Sequence, residues 1–295
     1  MAITETTTAI KDMVVLLDNG VATGETAASA EARPGPAPRL ALGLAARFGA
    51  HVEAVALAVD PIVPGFVVAP LPIEVIEQAR AQALDAAKAA AAAFGQAAAD
   101  ASVEAETRVG EILMGGAPEG FVASCRATDL VVIGQDDPDR PEPMRETMIE
   151  TALFEGGAPV LLIPYVAEKP LSFDRVTIAW DGGRAAARAV HAALPFLKLA
   201  KKVTVVMVGK AASAPGEPGA DVATWLSRHG LDVDVATLEA PDISVADALL
   251  DHAADMSVDL LVMGGYGHSR VREFLLGGAT RGILAAMTVP VLMAH

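Results

Sequence analysis

The sequence predicts an α/β protein made of two doubly wound parallel-sheet domains in tandem. The chain has 295 residues, which is enough for about two domains. Short apolar runs rich in Val, Ile and Leu alternate with longer amphipathic or Ala-rich stretches. Several of these runs recur in the same order about 130 residues further along the chain. Strands that alternate with helices favour parallel pairing through right-handed crossovers.

The repeat rests on three pairs of matched segments. They are residues 13–18 with 176–181, 129–134 with 259–264, and 159–163 with 290–294. Chance similarity of apolar strands explains one match but not a common spacing. We therefore place the first domain at residues 1–168 and the second at 172–295, on either side of Lys169 and Pro170.

Each element of the first domain follows from its apolar pattern, because strands buried on both faces form short continuous apolar runs. The predicted strands are 12–18, 51–58, 102–108, 129–134 and 159–163. The predicted helices are 38–49, 73–98, 117–126 and 145–154. Residues 19–38 are rich in Ala, Gly, Pro and Glu and predict a long loop.

The second domain shows the same alternation. Its predicted strands are 174–180, 202–208, 232–238, 259–264 and 290–294. Its predicted helices are 184–199, 220–229, 244–256 and 278–287.

Composition excludes several classes of function. The net charge of −15 opposes binding to nucleic acid or to an anionic membrane surface. No apolar run approaches the roughly 20 residues that span a bilayer, and residues 1–11 lack the pattern of a signal peptide. Cys125 is the only cysteine, which fits a reducing compartment. We expect a soluble cytoplasmic protein in which Cys125 is a buried helix residue.

Glycines gather after the fourth strand of the second domain. Gly264, Gly265 and Gly267 follow that strand, and Gly277 and Gly278 precede the last helix. Backbone N–H groups at glycines and at a helix N-terminus can form a nest for an anion. Ligands of open parallel sheets bind at the carboxyl ends of strands. The glycines either bind phosphate or are plain turn residues.

The spacing of Gly264, Gly267 and Gly277 resembles the phosphate motif of universal stress proteins. The resemblance covers the whole chain as two domains, strongly in the second and loosely in the first. It implies an adenine nucleotide alpha hydrolase-like fold that binds ATP or a related adenine nucleotide, with any Mg²⁺ arriving with the nucleotide. Gly278 departs from this pattern, because the family usually has Ser or Thr there.

The resemblance also implies roles for individual residues of the second domain. Asp181 would contact the base or ribose, and the backbone of Val208 would line the adenine site. The remaining candidates for the phosphate region are Gly264, Gly267, His268, Gly277, Gly278, Ala279 and Thr280. His268 is alternatively a solvated loop residue, since no nucleophile or second carboxylate accompanies it. The histidines form no metal-binding pattern.

The first domain has lost the motif. Asp137 replaces the second glycine, and Glu146 and Thr147 replace the third glycine and its partner. The acidic residues 136–139 would repel phosphates, and Asp18 is left as a strand-end or capping residue. We expect one nucleotide per chain.

The resemblance further implies that the last strands of the two domains pair within the chain as a pseudo-dimer. Pairing between chains in a homo-oligomer is the alternative. No catalytic constellation is recognisable, so any ATPase activity would be weak. The rival function is a stress-response interaction module that binds no nucleotide.

Overall fold

The computed structural model describes residues 10–18, 35–60, 72–112, 118–142, 144–209, 219–240, 242–266 and 278–295. Contacts divide the chain into two compact units. One is Lys11–Gly156, and the other is Gly157–His295 together with Ile10.

The first unit alternates strands and helices. In chain order its elements are β1 (Asp12–Leu16), α1 (Pro36–Phe48), β2 (His51–Val59), α2 (Ile73–Asp100), β3 (Ala105–Ile112), α3 (Glu119–Arg126), β4 (Leu130–Gly134), α4 (Arg145–Thr151) and a π-helix (Ala152–Gly156). The strands lie in the order β3-β2-β1-β4, and every pair is parallel. The strand order therefore reverses between β1 and β4.

The second unit repeats this plan. Its elements are β5 (Val160–Ile163), β6 (Arg175–Ala179), α5 (Arg184–Leu197), β7 (Lys202–Val208), α6 (Ala220–Arg228), β8 (Val233–Leu238), α7 (Val245–Asp255), β9 (Leu260–Gly264), α8 (Ala279–Ala286) and β10 (Val291–Ala294). The strands lie in the order β5-β10-β9-β6-β7-β8. All pairs are parallel except β5 with β10. The order reverses between β6 and β9.

These pairings confirm the predicted α/β class with parallel sheets and interleaved helices. The predicted bounds of the strand at 102–108 were wrong, because β3 begins at Ala105 and continues to Ile112. Ser102 has a φ of 55°, in the left-handed region, and forms part of the turn after α2. A turn with that backbone ends the helix and delays the strand. The helix predicted at 145–154 becomes α4 followed by the π-helix.

Strand β5 pairs antiparallel with β10, with Leu161 opposite Leu292. The expected pairing of the last strands of the two repeats within one chain is thus confirmed. The compact units divide at Gly156 rather than at residue 168, because β5 makes its contacts with β10. The domain limits set from the repeat and the pseudo-dimer arrangement stay predictions.

The cores consist of apolar strands covered by small-residue helix faces. Every residue of β4, β5 and β10 is buried. Cys125 is fully buried on α3 beside Phe121 and Val122, which confirms its expected structural role. Among the described residues, no helix has the length and apolar character needed to cross a membrane.

Candidate functional site

The carboxyl ends of β6, β7 and β9 meet where the strand order of the second unit reverses. Ala179 pairs with Val206 of β7 and with Met263 of β9. The Trp180 N–H continues the ladder by donating to the Val206 carbonyl at 2.8 Å. Asp181 follows β6 by two residues, and the neighbouring strands β7 and β9 end at Val208 and Gly264. Such a reversal is where open α/β sheets bind ligands.

Asp181 is exposed in the turn between β6 and α5. Its Oδ1 accepts the backbone N–H of Gly183 at 2.7 Å. Gly182 has a φ of 75°, which favours glycine, and Gly183 is the N-cap of α5. The turn therefore fixes an exposed carboxylate at the strand reversal.

Gly264 ends β9 against the first turn of α5. A Cβ at this position would lie 2.6 Å from the Ala186 nitrogen and 2.8 Å from the Ala185 carbonyl carbon. Both atoms belong to the backbone of α5, so a change of side-chain rotamer could not relieve the overlap. The first glycine of the predicted motif is thus required by the packing of β9 on α5, whether or not a ligand binds.

The end of β9 is joined to the first turn of α8 by a hydrogen bond. The Tyr266 N–H donates to Thr280 Oγ1 at 3.0 Å, and both residues are buried. Thr280 was predicted to offer a hydroxyl to phosphate, and the structure uses its oxygen as an internal acceptor. Tyr266 has a φ of 51°, a left-handed conformation that is uncommon for a residue with a side chain.

Helix α8 begins without a side-chain cap. Gly278 is its N-cap, and Gly278 and Ala279 are half-buried. The first N–H groups of a helix have no acceptor within the helix. Gly278 has no side chain that could cap them, and an uncapped helix N-terminus is a type of site that suits an external acceptor such as a phosphate oxygen.

Gly265 is held on its other side by the C-terminal residues. Its N–H donates to the Ala294 carbonyl at 2.9 Å, and its carbonyl lies 3.0 Å from His295 Nδ1. Arg188 Nη1 donates to the His295 carbonyl at 2.5 Å. The role of His295 was not predictable from the sequence, because no local motif marks a contact made across 30 residues.

Three predicted site residues, Gly267, His268 and Gly277, lie outside the described residues. The structure brings Asp181, Val208 and Gly264 to one edge of the sheet, and the bond between Tyr266 and Thr280 adds the start of α8. Val208 is half-buried at the end of β7. Within the described ranges, no group of three or more His, Cys, Asp or Glu side chains could hold a metal ion.

The corresponding edge of the first unit contains an ion pair that the sequence analysis missed. Arg145, the first residue of α4, donates through Nη2 to Oδ1 of Asp18. The acidic loop, residues 136–139, uses two of its carboxylates as acceptors for backbone N–H groups. Asp136 Oδ1 accepts the Glu142 N–H, and Asp137 Oδ1 accepts the Asp139 N–H, each at 2.9 Å.

Comparisons with known proteins agree with this architecture. Residues 172–295 match the sequence model of the universal stress protein family. The universal stress protein Slr1230 of Synechocystis is 33% identical over 67 residues, which cover 23% of this chain and 22% of that protein. The chain therefore matches about a fifth of the length of this curated relative.

Solved structures share the fold across nearly the whole chain. A universal stress protein from Archaeoglobus fulgidus has a TM-score of 0.62 at 16% identity, with 96% of this chain and 95% of that chain covered. A functionally unknown protein, PA1789 from Pseudomonas aeruginosa, has a TM-score of 0.58 at 15% identity, with coverage of 96% and 92%. At these identities the likeness shows the fold alone.

Proposed function

We propose that residues 172–295, which match the universal stress protein family, bind ATP or a related adenine nucleotide at the strand reversal between β6 and β9. The observation that carries this proposal is the hydrogen bond from the Tyr266 N–H to Thr280 Oγ1. It brings the end of β9, at Gly264, to the start of α8, at Gly278.

The described residues fit the parts of a nucleotide. The backbone N–H groups of Gly278 and Ala279 would donate hydrogen bonds to phosphate oxygens. The partial positive charge of the helix N-terminus would strengthen these bonds. Asp181 would accept hydroxyl or amino hydrogens of the ribose or base, and the Val208 backbone would border the adenine. This local set of donors would offset the unfavourable net charge of −15. Any Mg²⁺ would come with the nucleotide and be held mainly by its phosphates.

The role that follows is reversible binding in a stress response rather than rapid turnover. Asp181 is the one acidic side chain assigned to the site, and its Oδ1 already accepts the Gly183 N–H. General acid-base catalysis needs a positioned proton acceptor near the attacking water. We therefore expect at most weak ATPase activity, in a cytoplasmic protein.

Trp180 offers a direct test because it lies beside Asp181. The chain has two tryptophans, so Trp225→Phe leaves Trp180 as the sole indole reporter. Titration of this variant with MgATP should give a saturable fluorescence change, with one nucleotide per chain in calorimetry. Asp181→Asn should weaken binding by about tenfold, the loss expected for a charged hydrogen bond. Asp251→Asn, at an exposed position of α7, is the matched control.

Absence of a saturable signal in both fluorescence and calorimetry would refute nucleotide binding. Two nucleotides per chain would refute the assignment to the second unit alone.

An interaction module that binds no nucleotide is the second candidate. It is favoured by Gly278 in the usual Ser or Thr position and by the internal use of Thr280 Oγ1. Mass spectrometry of freshly purified protein separates the two functions. Adenine nucleotide retained through purification in wild type and lost in Asp181→Asn would reject the module.

A further inference from the structure

A buried arginine lies at the strand reversal of the first unit. Arg145 is only 4% exposed, and its Nη2 donates to Oδ1 of Asp18, just beyond β1. A Cβ added to Gly134, at the end of β4, would lie 3.6 Å from the same Asp18 oxygen. The guanidinium therefore lies at the edge where β1 and β4 end, which corresponds to the nucleotide site proposed in the second unit.

Two nitrogens of this guanidinium, Nε and Nη1, are buried without a hydrogen-bond partner in the described part of the chain. Burying donors of a charged group without acceptors costs free energy, so buried polar groups are normally satisfied. Asp18 satisfies Nη2 alone. The unpaired donors point to an acceptor that the described part of the chain does not supply.

The neighbouring acidic loop does not fill this need. Asp136 and Asp137 accept N–H groups of their own loop, and Asp137 Oδ2 lies 3.3 Å from Arg140 Nε. Their carboxylates are used to shape the loop. They still contribute negative charge near the site, which disfavours a ligand that carries several charges.

We propose that Arg145 is the recognition group of a second ligand site, which binds a compact oxyanion, either a small carboxylate or inorganic phosphate. Guanidinium donors match the geometry of both. The burial of Arg145 and the acidic loop both favour a small ligand over a nucleoside triphosphate. This site is independent of the nucleotide site proposed in the second unit.

The test observes the Nε–H group of Arg145 directly. In ¹⁵N-labelled full-length protein, Arg145→Gln identifies the Nε–Hε cross-peak by its loss. Acetate and phosphate are then titrated separately at constant ionic strength with chloride. A saturable shift of this cross-peak with acetate assigns a carboxylate ligand, and one with phosphate assigns a phosphoryl ligand. Arg228→Gln, at an exposed position of α6, should leave the shift unchanged.

A second variant keeps the test decisive if Arg145→Gln does not fold. Asp18→Asn removes the competing negative charge, so it should tighten anion binding by about threefold or more. Weaker or unchanged binding in Asp18→Asn would overturn the proposal. An Arg145 cross-peak that responds to neither acetate nor phosphate, or to ATP alone, would also overturn it.

Discussion

The backbone N–H of Tyr266 donates to the side chain of Thr280 across 14 residues of sequence. This bond holds Tyr266 in a left-handed conformation, with a φ of 51°, directly after β9. The same threonine lies in the first turn of α8, where the phosphate donors are proposed. Thr280 thus fixes the position of the Tyr266 backbone relative to the first turn of α8 before any ligand is considered.

Replacing Thr280 by Val should destabilise the second unit by about 1–3 kcal/mol, because the buried Tyr266 N–H loses its acceptor. Thr280→Ser keeps the hydroxyl and should retain most of the stability. Urea unfolding measures both variants. A Thr280→Val variant that is as stable as wild type, or more stable than Thr280→Ser, would show that the hydrogen bond contributes little.

Gly264→Ala should cost about 1–3 kcal/mol, since its methyl group would overlap the backbone of α5 at Ala185 and Ala186. The control is Gly43→Ala in the exposed face of α1, where an added Cβ meets nothing within 4 Å. That change should stabilise the protein by about 0.5–1 kcal/mol, because alanine favours the helix interior. Thermal unfolding compares the two, and a neutral Gly264→Ala would contradict the tight contact.

Cys125 should be inert to thiol reagents in the folded protein. Burial raises the pKa of its thiol to about 12, and the Glu53 carboxylate adds to the increase. At pH 8 the thiolate fraction is therefore about 10⁻⁴. Reaction with a chromogenic disulfide reagent should be negligible in native protein and complete in denaturant. Rapid labelling without denaturant would show that α3 opens locally.

His252 should make stability fall on mild acidification. Burial lowers the pKa of His252, which lies 3.4 Å from Thr177 Oγ1, while Asp255 opposes this shift. The unfolded chain therefore binds a proton more readily than the folded protein. The resulting loss of folding stability is absent above the ordinary pKa of 6.5 and grows as the pH falls below that value.

The His252→Gln variant removes this titration. Urea midpoints at several pH values should fall less steeply below pH 6.5 in this variant than in wild type. Around pH 8 and above, the difference between the urea midpoints of the two proteins should not change with pH. Parallel profiles over the whole range would contradict the role of His252.

The fold was largely predictable because the apolar pattern identifies the strands and the repeat shows that the same order of elements occurs twice. Continuous apolar runs such as Leu130–Gly134 and Leu260–Gly264 are buried throughout or nearly so, and local composition is enough to identify them. The start of β3 was not predictable, because the positive φ of Ser102 depends on how α2 ends. At its other end β3 continues to Ile112 because β2 pairs with it as far as Val59.

The position of Gly264 and Asp181 beside the strand reversal was predictable from their order along the chain, whereas their role in binding stays a prediction. The roles of Arg145 and His295 were not predictable. Each acts on a residue far away in sequence, Asp18 in one case and Gly265 in the other. Gly264 was predicted to bind phosphate, and its close contact with α5 adds a packing requirement that motif spacing alone cannot reveal.

Strand β5 covers one side of β10, although it is encoded by the earlier repeat. A fragment that starts at residue 172 would leave β10 with a bare edge, open to self-association. A fragment that starts at Gly157 would carry its own protective strand. A fragment of the second repeat should therefore begin upstream of β5, so that β10 keeps its pairing partner.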